Sequence, residues 1–296
     1  MRVVALIPCW NARARLAATL AALDGQVAAI VVVDNASTDG GPEWLAARRP
    51  DVRLLCNPAN LGYPAAVNRG VTEAARLGAE GVLLVNDDAV FQPGAVEALS
   101  SVLASDARAA AVSAKMRYSD RPRVLNGTGG LWVPSRGWAA LRGAGETDRG
   151  QYDLLLEADY PSGAASLLRA AALRDLGGMD EAYFLYFEDA EWGLRAARAG
   201  WRTRYCPQAL VLHVGSAGTA GQPERRRYYN VRNRLLLASR YAPLHGRLRA
   251  VLETLALAAR QGPRWAFPQR RRDAEAVLLG ALDHLRGRYG RSDRFG

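Results

Sequence analysis

The 296-residue sequence contains no apolar run approaching the roughly 18 to 20 residues that a membrane-spanning helix requires. Nor does a charged leader with a cleavage site precede the strand-like start at residues 3–7. A chain lacking both reads as soluble and unexported, with the cytoplasm as its expected compartment. Cysteine is scarce: Cys9, Cys56 and Cys206 are odd in number and far apart, which argues against a disulfide framework and against the short spacings of zinc and redox motifs. They read as buried thiols in a reducing compartment. Lysine is nearly missing, Lys115 being the only one among 39 basic residues, so an arginine at a given position need not report a demand for guanidinium geometry.

What charge there is lies unevenly. The net charge is +10, yet residues from Gly221 onward hold 17 Arg against 6 acidic residues, while residues 1–220 hold 22 basic against 23 acidic. The basic character therefore belongs to the tail, where it suits anionic lipid or nucleic acid. No nucleic-acid reader motif accompanies it, so nucleic acid is not expected as a partner. At 49% apolar and 23% charged residues, a chain of this length buries a full core as one large domain or two modest ones. No internal repeat or low-complexity segment interrupts it.

Short apolar runs at 3–7, 30–33, 52–56 and 82–85 alternate with Ala- and Leu-rich helical stretches at 16–23, 44–48, 65–76 and 95–104. That rhythm is βαβα. Runs with almost no polar residue predict strands buried on both faces, in a parallel sheet wrapped by helices, with ligands at the strand C-terminal ends. A Gly- and Trp-rich stretch at 126–150 predicts a hairpin or loop. Beyond it the pattern predicts a helix over 164–176, another over 188–199 closed by Gly200, and a strand at 209–212. A basic helical remainder is broken at Pro243, Pro263 and Pro268.

Polar clusters follow the strand ends. In Asn86-Asp87-Asp88, acids at the end of a buried strand call for a cation, and oxygen ligands suit Mg²⁺ or Mn²⁺. A turn with Asp88 as a helix N-cap accounts for the same tripeptide without chemistry. Asp34 ends the run VVVDNASTDG and can accept from a ribose hydroxyl or a base N–H, whereas Asp39 reads as Asx-turn chemistry. The segment NLGYPAAVNRG, residues 60–70, joins the Gly62 turn to a helix start, where backbone N–H groups favour an anion and Asn68 or Arg69 can reach base or phosphate. A purely structural turn explains Gly62 equally well. The strongest local signal is YFLYFEDAEWGLR, residues 183–195. Its aromatics crowd Glu188 and Asp189, a setting that raises a carboxylate pKa toward that of a general base; acids stabilising a helix start account for Glu191 without chemistry. His213, after the 209–212 strand, is either a structural histidine or a nitrogen ligand to a metal held by Asp88.

In order, VVVDNASTDG, NLGYPAAVNRG, LLVNDDAVFQPGA, SGAASLLRAAALRDLGGMDEAYFLYFEDAEWGLRAARAGW and VLHVGSAG resemble the family 2 inverting glycosyltransferases, rhamnosyltransferase-like branch. The resemblance implies the α/β GT-A fold: a mostly parallel, Rossmann-like central sheet with helices on both faces, here with a C-terminal helical extension. It implies a catalytic domain over 1–220, its nucleotide-sugar half at 1–115 and its acceptor half at 116–220, followed by the extension at 221–296. Asp34, Asn60, Gly62, Asn68, Arg69, Asn86 and Asp87 then fall on the donor side, with Asp88 and His213 as metal ligands. Asn86 replaces the first acid of the family's D-x-D motif. Asp189 looks like the base and Glu188 its support, while Gly163, Ala164, Gly178, Asp180 and Trp192 line or brace the acceptor side.

The implied partners are a nucleotide diphosphate sugar, with deoxythymidine diphosphate rhamnose favoured by analogy, and a saccharide or lipid-linked acceptor of the cell envelope. The tail's RRRYYNVRNRL resembles the family's YY-x-x-RN helix, whose arginines the resemblance sets near phosphate. Amphipathic stretches at 244–257 and 274–285 suit peripheral contact with the inner face of the plasma membrane, or simply a basic face packed on the catalytic domain.

Overall fold

A computed structural model describes residues 1–154, 157–215, 222–261 and 267–295. Residues 216–218 of the last motif, the expected boundary at 220/221 and the break at Pro263 lie outside the described residues. The elements run β1 (Val3–Cys9), α1 (Arg13–Leu23), β2 (Ala29–Asp34), α2 (Gly41–Arg48), β3 (Arg53–Cys56), α3 (Tyr63–Arg76), β4 (Gly81–Val85), β5 (Ala89–Phe91), α4 (Ala95–Ser105) and β6 (Ala109–Tyr118). There follow β7 (Leu125–Gly127), β8 (Gly130–Val133), β9 (Trp138–Leu141), β10 (Glu157–Ala158), β11 (Ala165–Arg169) and α5 (Ala170–Leu176). The chain ends with α6 (Glu188–Arg198), β12 (Arg202–His213), α7 (Pro223–Tyr241), α8 (Leu244–Gln261) and α9 (Pro268–Leu285).

The central sheet has the order β10-β12-β6-β11-β4-β1-β2-β3. From β12 to β3 every strand runs the same way except β11, which is antiparallel to both β4 and β6. Side chains alternate between two cores, as the two-residue period of a strand demands. From β1, Val3, Ala5, Ile7 and Cys9 join Leu16, Leu20 and Leu23 of α1 and Leu99 and Leu103 of α4. Val4 and Leu6 face the other way, onto Ala66 and Val67 of α3, Leu173 of α5 and Trp192 of α6. The expected mostly parallel sheet with helices on both faces is present, and so is a hairpin, β8-β9, in the Gly-rich stretch.

Three expectations need correction. Residues 164–176 are not one helix: 165–169 form β11, and only 170–176 coil. Its Ala and Leu residues have high helix propensity, but the slot between β4 and β6 offers backbone partners on both sides, and tertiary pairing overrides the propensity. The Ala-rich β6 is a strand for the same reason, and the strand expected at 209–212 extends back to Arg202 along β6. Cys56 is exposed, unlike buried Cys9 and Cys206, because β3 is the edge strand. Lys115, inside β6, is neutralised by Asp148 at 2.8 Å and Asp153 at 2.5 Å.

The helical tail packs against the sheet domain through α7. Arg232, 1% exposed, donates to the carbonyls of Ala182, Tyr183 and Gly290. Asn233 Nδ2 donates to those of Tyr183, Leu185 and Tyr186 at 2.7–3.0 Å. No helix among the described residues is long and apolar enough to cross a membrane.

On α6, a Cβ added to Gly193 would lie 2.3 Å from Tyr160 Cβ and 2.5 Å from Tyr160 Cα. A backbone atom cannot rotate aside, so Gly193→Ala is expected to destabilise the fold by about 1–3 kcal/mol, read as a lowered midpoint in calorimetry. An unchanged midpoint would mean that α6 shifts freely.

Candidate active site

The strand ends converge on an open cleft of about 150 Å³, walled by Pro8, Cys9 and Trp10 after β1, Asn35, Asn60, Gly62 and Tyr63, Asn86 to Asp88, the aromatic loop 184–186 and Arg225 of α7. At its floor, Asp88 Oδ1 lies 3.0 Å from His213 Nε2, because β5 pairs with β12 and sets Ala89 opposite His213. His213 Nδ1 lies 2.9 Å from Asn126 Oδ1. That nitrogen therefore donates, and the lone pair of a neutral ring at Nε2 faces the Asp88 carboxylate, an arrangement that calls for a proton or a cation between them. Asp88 Oδ2 is buried with no hydrogen-bond partner. Burial alone would raise the Asp88 pKa, but a protonated His213, through its hydrogen bond and charge, outweighs it and holds the carboxyl below its ordinary value.

An N ligand beside an O ligand, with a further oxygen unsatisfied, fits a divalent cation. Among the described residues no group of three or more His, Cys, Asp or Glu side chains could hold an ion unaided. Such a site would draw its remaining ligands from a bound substrate and water. Asn86 Nδ2 is 3.3 Å from His213 Nε2. Asp87 points toward α1, 3.3 Å from Arg15, and burial raises its pKa to about 6. Asp88 is no helix cap, since α4 begins after Gly94.

The second acidic pair reaches the same place from α6. Asn86 N donates to Ala164 O at 3.0 Å; next along the chain, Gly163 N donates to Asp189 Oδ2 at 2.9 Å. Ala190 N donates to Asp189 Oδ1 at 2.7 Å, and Tyr63 Oη donates to Gly163 O at 2.5 Å. Asp189 keeps some exposed surface, whereas Glu188 is buried, its Oε2 without a partner. Burial, then the charge of Asp189, pushes Glu188 up to about 8. Burial also raises Asp189, against the two backbone N–H groups that stabilise its charge.

Other expected residues brace the scaffold. Asp34 Oδ2 accepts from Ser37 N at 2.9 Å. Asp39 accepts from Arg13 N and Gly41 N, the first residues of α1 and α2. Asn60 Oδ1 accepts from Gly62 N, and Gly62, at φ 89°, lies against Phe184 O, where a Cβ would come within 2.5 Å. Asn68 brackets Met179 through both its N–H and its carbonyl, a Cβ on Gly178 would strike its Oδ1, and Arg69 bonds to Cys56 O at 2.7 Å and to Asn57; neither side chain walls the cleft. Asp180 caps the turn at Ala182 and pairs with Arg240. Trp192 is fully buried, with Nε1 on Gly177 O. Sequence reasoning missed Asn126, Arg15 and Trp10, and reached Arg225 only as one of the arginines of RRRYYNVRNRL that the resemblance sets near phosphate. Trp10 follows a buried strand, and the strand-end rule points to it; Asn126 carries no sequence signal.

A crossed α/β sheet with an acid–histidine pair at one strand end and paired carboxylates opposite is the arrangement of a nucleotide-sugar transferase. Residues 2–265 match the family described as Glycosyltransferase like family 2. An N-acetylglucosaminyl-diphospho-decaprenol L-rhamnosyltransferase of Mycobacterium tuberculosis is 31% identical over 235 residues, covering 71% of this chain and 74% of that protein. The dTDP-rhamnosyl transferase RfbF of Shigella flexneri is 26% identical over 307 residues, 97% of each chain. The mannosyltransferase PcManGT of Pyrobaculum calidifontis, solved with GDP-Man and Mn²⁺, has the same fold, at TM-score 0.57 and 19% identity over 96% of this chain and 87% of that one. The chain belongs to glycosyltransferase-like family 2, is rhamnosyltransferase-like in sequence and has the GT-A fold.

Glu188 titrates at about 8 in the fold and at about 4.3 in an unfolded chain, so the folded state binds more protons between these values. Its contribution is full below pH 4 and is lost as pH rises toward 8. Glu188→Gln is expected to flatten that decline, gaining on the wild type above pH 7 in urea-unfolding curves; parallel curves across pH 4–9 would contradict it.

Proposed function

We propose that this transferase moves a sugar, with inversion at the anomeric carbon, from a nucleotide diphosphate donor to a hydroxyl of a saccharide or lipid-linked acceptor of the cell envelope. The observation that carries the reading is the placement of Asp88 with His213 on one side of residues 163–164 and Asp189 on the other. The names of the relatives favour deoxythymidine diphosphate rhamnose as donor and a polyprenyl diphosphate-linked sugar as acceptor. Residues 1–220 form the catalytic unit in this reading, and 221–296 its extension.

Asp88 and His213 would hold a divalent ion, which offsets charge on the departing diphosphate. An imidazole ligand favours Mn²⁺ over the harder Mg²⁺; Mn²⁺ accompanies GDP-Man in the mannosyltransferase structure. Asp189, oriented by Gly163 N and Ala190 N, takes the acceptor's hydroxyl proton on a free lone pair. The acceptor oxygen then bonds to the anomeric carbon as the bond to the diphosphate oxygen breaks. One displacement inverts the centre and needs no sugar–enzyme intermediate, unlike the retaining two-carboxylate scheme. Glu188, held protonated by burial beside Asp189, adds no second negative charge next to the base. A second reading makes Glu188 the base, favoured by its unpartnered Oε2.

In thermal-shift measurements, dTDP, UDP or GDP with Mn²⁺ is expected to raise the midpoint, since ligand stabilisation grows with occupancy. Asp88→Ala should lose the metal-dependent part. Asp189→Asn should keep donor binding and lose transfer by a factor on the order of 10² to 10⁴; near-normal turnover in Asp189→Asn, with loss in Glu188→Gln, would move the role to Glu188.

Leu244, Leu248, Val251, Leu252 and Leu255 of α8 are 43–72% exposed, at spacings that put them on one face, while Gly246, Ala250 and Thr254 pack inward. With exposed Arg247 and Arg249 alongside, this face suits peripheral contact with an anionic leaflet. The double variant Leu248→Glu/Leu252→Glu is expected to lose sedimentation with phosphatidylglycerol vesicles while keeping nucleotide binding. Undiminished sedimentation would assign the contact elsewhere.

A further inference from the structure

The C-terminal residues enclose a second cavity, of about 250 Å³, between α7, the end of α9 and the tail at 286–295. Backbone bonds fix its walls. Beyond α9, Arg288 N donates to Asp283 O and Gly290 N to Ala182 O, Arg232 Nη1 donates to Gly290 O at 2.7 Å, and Ser292 N donates to Tyr229 Oη at 3.0 Å. Buried Phe295 ends the fold-back by stacking on Tyr228, with ring centroids 4.8 Å apart. Five arginines line the space against two aspartates.

These charges differ in what they already bind. Arg232 gives its donors to protein oxygens, and Arg294 pairs with Glu275. Arg286 and Arg288 are exposed, and neither guanidinium has a hydrogen bond or ion pair among the described residues. Of the carboxylates, Asp283 accepts from Tyr228 Oη at 2.7 Å, and Asp293 is exposed. Like charges gathered around a concavity focus a positive potential there, and guanidinium forks match the oxygens of a phosphate or diphosphate. On α9, Leu278, Leu282 and Leu285 are exposed at helical spacing, and the residue after each, Leu279, Asp283 and Arg286, lines the cavity. An apolar stripe therefore runs beside the basic hollow. At the far rim, Arg291 of the cavity reaches Asn60 O at 3.5 Å, and Asn60 walls the donor cleft.

We propose that this cavity binds the phosphates of a prenyl diphosphate, the lipid end of the acceptor, with the prenyl chain along Leu278, Leu282 and Leu285. A phosphate carried on an apolar body satisfies both features at once, whereas an inorganic anion leaves the leucines uncovered. This rests on the acceptor reading above and gives that acceptor a place. Because the Arg291–Asn60 contact joins the two rims, a saccharide carried on the diphosphate starts at the mouth of the donor cleft. Arg286 and Arg288 do not wall that cleft and take no part in holding the nucleotide.

The test is calorimetric titration of the full-length protein in EDTA with farnesyl diphosphate, inorganic pyrophosphate and farnesol, with dTDP, UDP and GDP in Mn²⁺ as the control for the cleft. Farnesyl diphosphate is expected to bind more tightly than either of the other two probes. The double variant Arg286→Gln/Arg288→Gln, at exposed positions, is expected to raise the Kd of both diphosphate probes by roughly tenfold or more, with nucleotide binding unchanged. Leu278→Ser/Leu285→Ser should weaken farnesyl diphosphate and leave pyrophosphate as it was. Unchanged diphosphate affinity in the arginine variant overturns the inference, and so does an equal loss of nucleotide binding, since the arginines would then serve the cleft. Equal affinity for pyrophosphate and farnesyl diphosphate overturns the assignment to a lipid. The acceptor reading fails by a different result: transfer to a phosphate-free saccharide as fast as to one carried on a prenyl diphosphate, whatever the cavity binds.

Discussion

A single reversed strand sets the geometry of the site. β11 runs against β4 and β6, so its N-terminal end meets the C-terminal end of β4. Asn86 N therefore donates to Ala164 O, and the peptide one step earlier donates from Gly163 N to Asp189. A parallel strand in the same slot would begin at the opposite edge of the sheet. The acids after β4 and those at the start of α6, a hundred residues apart in the chain, would then lie at different ends of the molecule.

The electrostatics of the cleft are left incomplete by the protein alone. Asp88 Oδ2, Glu188 Oε2 and Arg225 Nε are all buried without partners, as are Tyr183 and Tyr205 Oη and the Nε of Arg15, Arg204 and Arg227 elsewhere. Other buried polar groups are satisfied: Ser113 and Ser166 pair across β6 and β11, and Asn57 donates to Asn35, which donates to Gly62 O. At the cleft, Asp88 and Arg225 leave groups of both signs open to a polar partner.

Much of this was legible in the sequence, and the limits have physical causes. The parallel half could be read from apolar runs because strands covered on both faces carry little else. The strand ends pointed to Asn60, Asn86 and Asp88, which wall the cleft, and to Asp34, which instead braces the turn at Ser37. The second half misled where alanine dominates: β6 and β11 are strands by pairing, not by propensity. Asn68 and Arg69 sit on the expected helix start, yet a side chain's direction depends on the carbonyls it meets, and theirs belong to residues 56, 57 and 179. Arg225 was one arginine among many in the tail. Nothing short of three-dimensional proximity separates it from Arg226 or Arg227.

The aromatic loop before Glu188 holds Phe184, Tyr186 and Phe187 at φ 60°, 69° and 71°, a left-handed backbone that disfavours each non-glycine residue by about 1–3 kcal/mol. Its carbonyls are gripped by Arg232 and Asn233, two turns along the helix that begins beside Arg225. The loop resembles a bent spring clamped by α7. Any rotation of that helix would loosen the clamp and let the turn unwind, taking the first residues of α6, Glu188 and Asp189 among them, with it.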